Sequence, residues 1–233
     1  MKITDFKGIF KKSIATVVSI NNPFQDYYEI KLKPASDLKW EAGEHGIFSL
    51  PNKKVTGKKW RAFSVASIFE ENLIILGTRT GKTASSFKSA LINMQPGEKV
   101  AVRGPFGWFK IQDETTPLVL IAGGVGITPI RALLKQLAND QSRLIIVIYA
   151  SFDYYLFENE IQQMVNQNPK IMLVKTVSNE ETNQALNDVA SRYQNQVYYY
   201  LSGSQGFIKA MKKQIKANGV KAKNIINDPF LGY

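Results

Sequence analysis

The stretch Leu118-Val-Leu-Ile-Ala-Gly-Gly-Val-Gly-Ile-Thr-Pro129 decides the fold class of the second half of the chain. Its first five residues are apolar, which is typical of a strand buried on both faces. Three close glycines follow, and then a helical pattern at 129–138 that Thr128 can cap and Pro129 can open. Such a turn lets the backbone approach a ligand, and a helix start favours an anion or a polar carboxamide. We therefore expect a ligand site at the carboxyl edge of a parallel sheet.

Apolar strands and helical segments continue to alternate after this turn. Strands are expected at 144–150, 171–177 and 197–201, and helices at 156–166, 185–193 and 207–217. This alternation predicts a parallel sheet with helices on both faces. The spacing G-G-x-G-x-T-P lacks the third glycine of the usual dinucleotide fingerprint, so the turn alone leaves a purely structural role open.

The first 112 residues have a different pattern, in which turn signals separate short runs rich in β-branched and aromatic residues. Strands are expected at 13–20, 27–33, 46–50, 60–66, 73–80 and 99–103, with one helix at 84–93. Six short strands predict a small antiparallel β-barrel of the Greek-key type. The chain is therefore expected to have two domains, an antiparallel β-barrel at 1–112 and an α/β domain with a parallel sheet at 113–233.

The composition excludes several kinds of chemistry. The 233 residues contain 30 Lys and Arg, 19 Asp and Glu, one His and no Cys, which gives a net charge of +11. Without Cys there is no disulfide, no Cys-based zinc site and no Cys-ligated iron–sulfur cluster, so no metal site is expected. Electron transfer by this chain would need an organic cofactor. With no signal peptide pattern and no long apolar run, the sequence predicts a cytoplasmic protein without a transmembrane segment.

Two segments of the predicted barrel have residue types that suit a phosphorylated aromatic ligand. Arg61-Ala-Phe63-Ser64 offers a guanidinium for phosphate, a ring for stacking and a hydroxyl for a hydrogen bond, although ordinary strand positions are the default interpretation of so short a segment. Gly81-Lys-Thr-Ala-Ser85-Ser86 leads into the predicted helix, where small and hydroxyl residues donate readily to phosphate. Plain helix capping is the alternative for this second segment.

Taken together, the segments resemble the ferredoxin–NADP reductase superfamily of flavin enzymes, and the likeness runs in order along nearly the whole chain. Arg61-Ala-Phe-Ser64 resembles its R-x-Y/F-S flavin motif, and 81–86 resembles its glycine–serine phosphate segment. Four further segments match: Gly104-Pro-Phe-Gly107 is similar to its G-P-x-G turn, 123–129 to its G-G-x-G-x-T-P nicotinamide loop, Ser202-Gly-Ser204 to its C-G-P segment, and 227–233 to its aromatic C-terminus.

The resemblance implies that FAD binds the barrel and that NADH or NADPH binds the α/β domain. Hydride would pass to flavin N5, and electrons would leave to a separate acceptor. Arg61 would hold the FAD diphosphate, Phe63 would pack on the isoalloxazine, and Ser64 would hydrogen-bond near N5. Catalytic roles fall on Ser64, Ser202 and Tyr233. The other implied cofactor contacts are Thr78, Thr80, Gly81, Ser85, Ser86, Gly123, Gly124, Gly126, Thr128, Ser202, Gly203 and Tyr233.

The chain departs from the family pattern at the C-G-P segment and near its C-terminus. The usual cysteine is Ser202, so we expect altered nicotinamide affinity or rate with activity retained. The acidic residue common near the family's C-terminus is represented only by Asp228. Tyr233 is the last residue and either covers the flavin or packs in a cleft. His45 has no partner His or Cys and is expected at the surface or in a barrel turn.

The coenzyme and the acceptor are less strongly indicated by the sequence. Segment 149–155 contains an acid and no base, which favours NADH over NADPH, although Lys175 and Arg192 remain possible ligands of a 2′-phosphate.

A lysine stripe on the last helix and a lysine-rich loop predict either a basic rim for an acidic electron acceptor such as ferredoxin or flavodoxin, or simply a solvated face. The stripe contains Lys209, Lys212, Lys213 and Lys216, and the loop contains Lys53, Lys54, Lys58 and Lys59.

Other classes of protein stay open at this stage. A free flavin or a ferric chelate are alternative acceptors, and an FAD-holding electron-transfer subunit of a larger complex is an alternative function. The high lysine content also suggests a nucleic-acid-binding protein. That interpretation leaves the flavin and nicotinamide motifs unexplained, so no nucleic-acid partner is expected.

Overall fold

The computed structural model describes residues 3–35 and 38–229 of the chain. The described residues form two compact units, the first ending at Lys110 and the second extending from Ile111 to Pro229. The first contains an antiparallel sheet and the second a parallel sheet, as the sequence predicts. Tyr233, for which a catalytic role is expected, lies outside the described residues.

The first unit contains a sheet of six strands with every neighbouring pair antiparallel, in the order β4-β3-β6-β1-β2-β5. Alternate apolar residues point into a common core, as in β2, where Ile30 and Leu32 are fully buried. Just beyond β4, the Ala66 amide donates to the Ile75 carbonyl at 2.8 Å, which links the two ends of the sheet. The strands are β1 (Lys12–Phe24), β2 (Tyr27–Lys33), β3 (His45–Ser49), β4 (Trp60–Ser64), β5 (Ile74–Arg79) and β6 (Lys99–Phe106).

One α-helix, α1 (Ser86–Ile92), lies against the core of this sheet. The Ser85 hydroxyl caps it by accepting from the Lys88 amide at 3.3 Å. The helix buries Phe87 and Leu91 in the same cluster as Phe63 of β4. This packing brings the start of α1 close to the strand that carries the R-x-F-S segment.

The second unit has a five-stranded parallel sheet in the order β11-β10-β7-β8-β9. Its strands are β7 (Leu118–Gly123), β8 (Ile145–Ala150), β9 (Ile171–Thr176), β10 (Tyr198–Ser202) and β11 (Ile225–Asn227). Its helices are α2 (Ile127–Gln136), α3 (Glu158–Gln167), α4 (Asn179–Tyr193) and α5 (Gln205–Ala217). The chain runs from β7 to β8 and β9 on one side, and then returns to β10 on the other side. The sheet therefore has a switch point between β7 and β10, where α/β sheets bind their ligands.

The structure shifts several predicted boundaries, among them the starts of two helices, and adds one strand. Helix α4 begins at Asn179, six residues before the predicted start, because the Ser178 hydroxyl accepts from the Glu181 amide at 3.1 Å. Helix α2 begins at Ile127, so Thr128 lies inside its first turn and is not the cap. Strand β11 was not predicted and pairs with β10 over three residues.

Candidate functional site

Arg61 lies on β4 with part of its guanidinium already fixed. Its Nη1 donates to the Lys58 and Trp60 carbonyls at 2.8 and 2.9 Å, and the group lies 5.5 Å from the centre of the Phe87 ring. Within the described parts of the chain, no carboxylate pairs with it and its Nε and Nη2 have no acceptor. The side chain is thus held in place with donors left over, as an anion-binding arginine requires.

Phe63 and Ser64 follow on the same strand. The Phe63 ring is only 9% exposed and packs edge-on to Phe48 at 5.7 Å, with Phe87 at 6.4 Å. The ring therefore belongs to the apolar core, and its packing against an isoalloxazine stays a prediction. Ser64 is half-buried and lies directly opposite His45 in the β3–β4 ladder.

His45, expected at the surface or in a barrel turn, is instead buried at the first residue of β3. The residue is 4% exposed, and its ring lies edge-on to Phe106 at 4.4 Å. Burial lowers the pKa of His45 to about 4, so the imidazole is neutral at pH 7. Neither ring nitrogen has a hydrogen-bond partner in the part of the chain described by the structure. A buried neutral imidazole opposite Ser64 is a site feature that the sequence reasoning missed.

An acidic side chain occupies the phosphate segment. The Asp26 carboxylate accepts from the Gly81 amide at 2.8 Å and from Arg79 Nε at 2.9 and 3.0 Å. The Thr80 amide donates to the Asp26 carbonyl at 2.9 Å. The resemblance assigns Thr80 and Gly81 to contacts with FAD. In the structure the Asp26 carboxylate therefore already accepts from the Gly81 amide, where the diphosphate is expected. Thr78 is buried in β5, opposite Tyr28.

The two serines of the segment also have structural partners. Ser85 caps α1, and the Ser86 hydroxyl accepts from the Thr56 amide at 3.0 Å. Hydroxyls have two acceptor sites and one donor, so each can still donate to a phosphate oxygen. The capping role and the phosphate role of this segment are therefore compatible.

The glycine turn after β7 is built for close backbone packing. A Cβ on Gly126 would lie 2.3 Å from the Ser202 carbonyl oxygen, and one on Gly123 would lie 2.9 Å from the Phe207 ring. A Cβ on Gly203 would lie 2.7 Å from the same ring. Gly124 has φ of +53° with no neighbour within 4 Å of a Cβ, so it supplies a left-handed bend beside open space. The turns after β7 and β10 thus touch at the switch point.

Thr128 and Ser202 are both buried beside these turns. The Thr128 hydroxyl donates to the Val125 carbonyl at 2.7 Å, which ties the turn to α2. The Ser202 hydroxyl donates to the Asp228 carboxylate at 3.1 Å, and the Asp228 amide donates to the Leu201 carbonyl at 2.9 Å. Strand β11 brings Asp228 to this position, so the loosely aligned acidic residue is in direct contact with the serine that replaces the family cysteine.

The loop after β8 is the expected binding region for the adenosine half of a dinucleotide. Phe152 is 73% exposed, and Asp153 is exposed beside it. Lys175, one of the possible 2′-phosphate ligands, forms a short hydrogen-bonded ion pair with Glu158. Arg192, the other, lies over the Tyr193 ring at 5.3 Å.

The donors of the barrel suit the cofactor that the resemblance implies. Guanidinium, backbone amides and hydroxyls converge around the start of α1, which is the donor set for a diphosphate.

Over residues 3–35 and 38–229, no three His, Asp or Glu side chains are grouped to bind a metal ion. The helices of those same ranges include none with the length and apolar character needed to cross a membrane.

Comparisons with known proteins cover both units of the chain. The family model described as "Oxidoreductase NAD-binding domain" matches residues 120–213. The toluate 1,2-dioxygenase electron transfer component of Pseudomonas putida is 22% identical over 230 residues, which cover 93% of this chain and 67% of that protein. The chain spans 36% to 67% of the length of this relative and two other curated relatives.

Solved structures share the fold at low identity. A cytochrome P450 reductase from Amycolatopsis aligns with a TM-score of 0.79 and 22% identity, covering 94% of this chain and 70% of that one. The ferredoxin–NADP⁺ reductase from Plasmodium falciparum, determined with 2′P-AMP, aligns with a TM-score of 0.77 and 15% identity, covering 93% and 95%. The order of the two sheets, the glycine turn at the switch point and these likenesses lead to one conclusion: the chain has the two-domain fold of ferredoxin–NADP reductase-like proteins, and its residues 120–213 match the family of oxidoreductase NAD-binding domains.

Proposed function

We propose that this protein is an FAD-dependent NAD(P)H oxidoreductase that passes electrons to a separate acceptor. The observation that carries the proposal is the contact of the Gly123–Gly126 turn with Ser202 and Gly203 at the switch point, on the same chain as the Arg61 strand. FAD, when bound, supplies a ring that accepts a hydride and releases electrons singly or in pairs. The protein binds and orients the two cofactors.

Each group of residues has a distinct task in this proposal. Arg61 and the start of α1 hold the diphosphate, and Ser64 offers a hydroxyl to the flavin ring. At the switch point, the glycines admit the nicotinamide and its diphosphate close to the backbone. Asp228 fixes the Ser202 hydroxyl, so this side chain presents an oriented oxygen where the family has a thiol.

The loop after β8 and its neighbours support NADH as the coenzyme. Asp153 can accept from a ribose 2′-hydroxyl, whereas a 2′-phosphate would meet its negative charge. Lys175 is held by Glu158, so it gives a phosphate little attraction. Initial rates should favour NADH, and a clear preference for NADPH would contradict this part of the proposal.

A groove on the outer face of the barrel supports the proposal that the electron acceptor is an acidic protein. A groove of about 580 Å³ crosses β1, β3, β4 and β6, with Trp60 40% exposed and Ile14 45% exposed. Lys12, Lys59 and Arg103 line it, and none of them has a carboxylate partner within the described ranges. Cations around exposed aromatic and aliphatic side chains are typical of an interface with an acidic partner.

A charge-reversal experiment tests this surface. Arg103→Glu should slow reduction of an acidic ferredoxin or flavodoxin and weaken the salt dependence of its rate. Reduction of a neutral quinone should stay unchanged. Lys135→Glu, an exposed lysine on α2, is the matched control. Equal effects of the two variants would contradict the acidic-partner proposal.

Purified protein tests the central proposal directly. After incubation with FAD and desalting, it should show the yellow flavin absorption, which NADH should bleach without oxygen. A chain that binds no flavin under any reconstitution condition would overturn the proposal.

Two relatives, one named as an electron transfer component and one as part of a Na⁺-translocating NADH-quinone reductase, favour a second candidate, an FAD-holding subunit of a larger complex. A cytoplasmic location stays a prediction.

A further inference from the structure

The last part of the second unit carries lysines without any acidic residue between them. From Gly203 to Asn227 the sequence contains six Lys and no Asp or Glu. The six are the four residues of the lysine stripe on α5, followed by Lys221 and Lys223. All are exposed except Lys212, which is half-buried. Across residues 3–35 and 38–229, no carboxylate forms an ion pair with any of these six ammonium groups.

The packing of α5 directs the lysine stripe to solvent. Its members are three or four residues apart, so they share one face of the helix. Met211 and Ile215 are buried in the core of the unit, on another face of the same helix. The Lys212 ammonium donates to the Asn227 side-chain oxygen at 3.4 Å, which places the stripe beside β11, an edge strand of the sheet. The stripe is therefore a surface fixed by the fold.

Acidic side chains lie at the opposite edge of the same sheet. Glu180, Glu181 and Asp188 of α4 line an open groove of about 610 Å³ beside β9, the other edge strand. Lys175 also lines this groove, but it is paired with Glu158. A planar negative surface would attract the β11 edge and repel the β9 edge, which gives the unit one preferred orientation on such a surface.

We infer that the lysine stripe, together with Lys221 and Lys223, binds the surface of an anionic phospholipid bilayer. Clusters of about four to eight lysines on one helix face are typical of contact with anionic headgroups. The inference goes beyond the proposed function and does not depend on bound FAD.

The side chains around the stripe favour a lipid surface over a macromolecular partner. Protein interfaces are depleted in lysine and depend on aromatic or aliphatic anchors. Residues 205–227 include no large exposed apolar side chain, whereas the barrel groove has Trp60. The same residues contain no Arg, and they expose no aromatic ring on which a base could stack. Charge alone is left for recognition, and a dense layer of headgroups needs nothing more.

Sedimentation with lipid vesicles tests the inference without measuring turnover. The chain should bind phosphatidylcholine vesicles that contain phosphatidylglycerol, and it should not bind vesicles of phosphatidylcholine alone. Raising the ionic strength from about 0.05 to 0.3 M should weaken binding steeply, because exposed charges are screened. Lys213→Gln/Lys216→Gln should weaken binding about 25-fold, since each lysine near the surface contributes about fivefold.

Lys135→Gln/Lys170→Gln is the matched control, because both lysines are exposed on the same unit and the net charge changes equally. This control should lose less than twofold in vesicle affinity, and both double variants should unfold at the wild-type temperature. A wild-type chain that does not sediment with anionic vesicles, or equal losses in the two double variants, would overturn the inference. It would also be overturned if Lys213→Gln/Lys216→Gln kept its vesicle affinity but reduced an acidic protein more slowly, or if the wild type bound a duplex oligonucleotide more tightly than the vesicles.

Discussion

Replacement of Gly126 by alanine tests whether the close contact of two turns forms the dinucleotide site. An ideal Cβ at this position would lie 2.3 Å from the Ser202 carbonyl oxygen and 2.5 Å from the Gly203 amide nitrogen. Both contacts are with backbone, so no side chain can rotate away. To reach an ordinary separation of about 3.4 Å, the two turns must move apart by about 1 Å.

The expected cost follows from where this movement occurs. Gly126 leads directly into α2, and Ser202 is the last residue of β10, so separation would strain a packed sheet–helix layer. Overpacking of this kind costs about 1–3 kcal/mol of unfolding free energy. The Ser202–Asp228 hydrogen bond lies on the same turn and would be displaced with it. We therefore expect NADH binding to weaken together with stability.

Urea denaturation of the protein measures the loss of stability, and titration with NADH measures the loss of affinity. Gly206→Ala is the matched control, because a Cβ there has no neighbour within 4 Å and the residue lies in the first turn of α5. That control should be neutral or slightly stabilising. FAD binding to the barrel should be unaffected in both variants. A Gly126→Ala protein with wild-type stability and wild-type NADH affinity would refute the reasoning.

Three further predictions concern single side chains. Burial holds the pKa of His45 near 4 against an ordinary 6.5, so unfolding free energy should drop by up to about 3 kcal/mol as pH falls from 6.5 to 4. His45→Phe should flatten that pH dependence in chemical denaturation, and an unchanged slope would contradict it. Asp228→Ala leaves the buried Ser202 hydroxyl without its acceptor and should cost about 1–3 kcal/mol by urea denaturation, whereas an unchanged midpoint would contradict it. Asp26→Asn should raise FAD affinity about two- to fivefold by fluorescence titration, because the competing carboxylate at Gly81 is removed; weaker binding would argue against it.

The long periodic elements could be predicted because local pattern and tertiary packing agree. Strand β2 matches the prediction at both ends, since turn residues flank an alternating apolar run. Strand β11 could not be predicted, because three residues contain no period and its pairing depends on β10. The early start of α4 was predictable: Ser178 and Glu181 have the spacing of a capping box, and the Glu181 carboxylate accepts from the Val177 amide at 2.8 Å.

The candidate site was predictable by residue type more than by environment. A sequence motif indicates that Arg61 and the glycines can bind anions, but it does not show which donors are already in use. Burial of Lys88 and His45 depends on residues distant in sequence, and charged or titratable side chains are expected at the surface by default. Asp26 illustrates the same limit, since no spacing rule joins it to Gly81 across 55 residues.

Paired and unpaired cations have different roles in this molecule. In the second unit, the buried guanidiniums of Arg131 and Arg143 are bound by Glu160 and Asp140, so their charges stabilise the fold locally. In the barrel, Arg61 and the three groove cations have no carboxylate partner among the described residues. The electrostatic field of an unpaired charge extends to about a Debye length, whereas the fields of two paired charges largely cancel. Arg61 and the groove cations therefore remain available to attract anions, which agrees with the proposed FAD diphosphate at Arg61 and the proposed acidic partner at the groove.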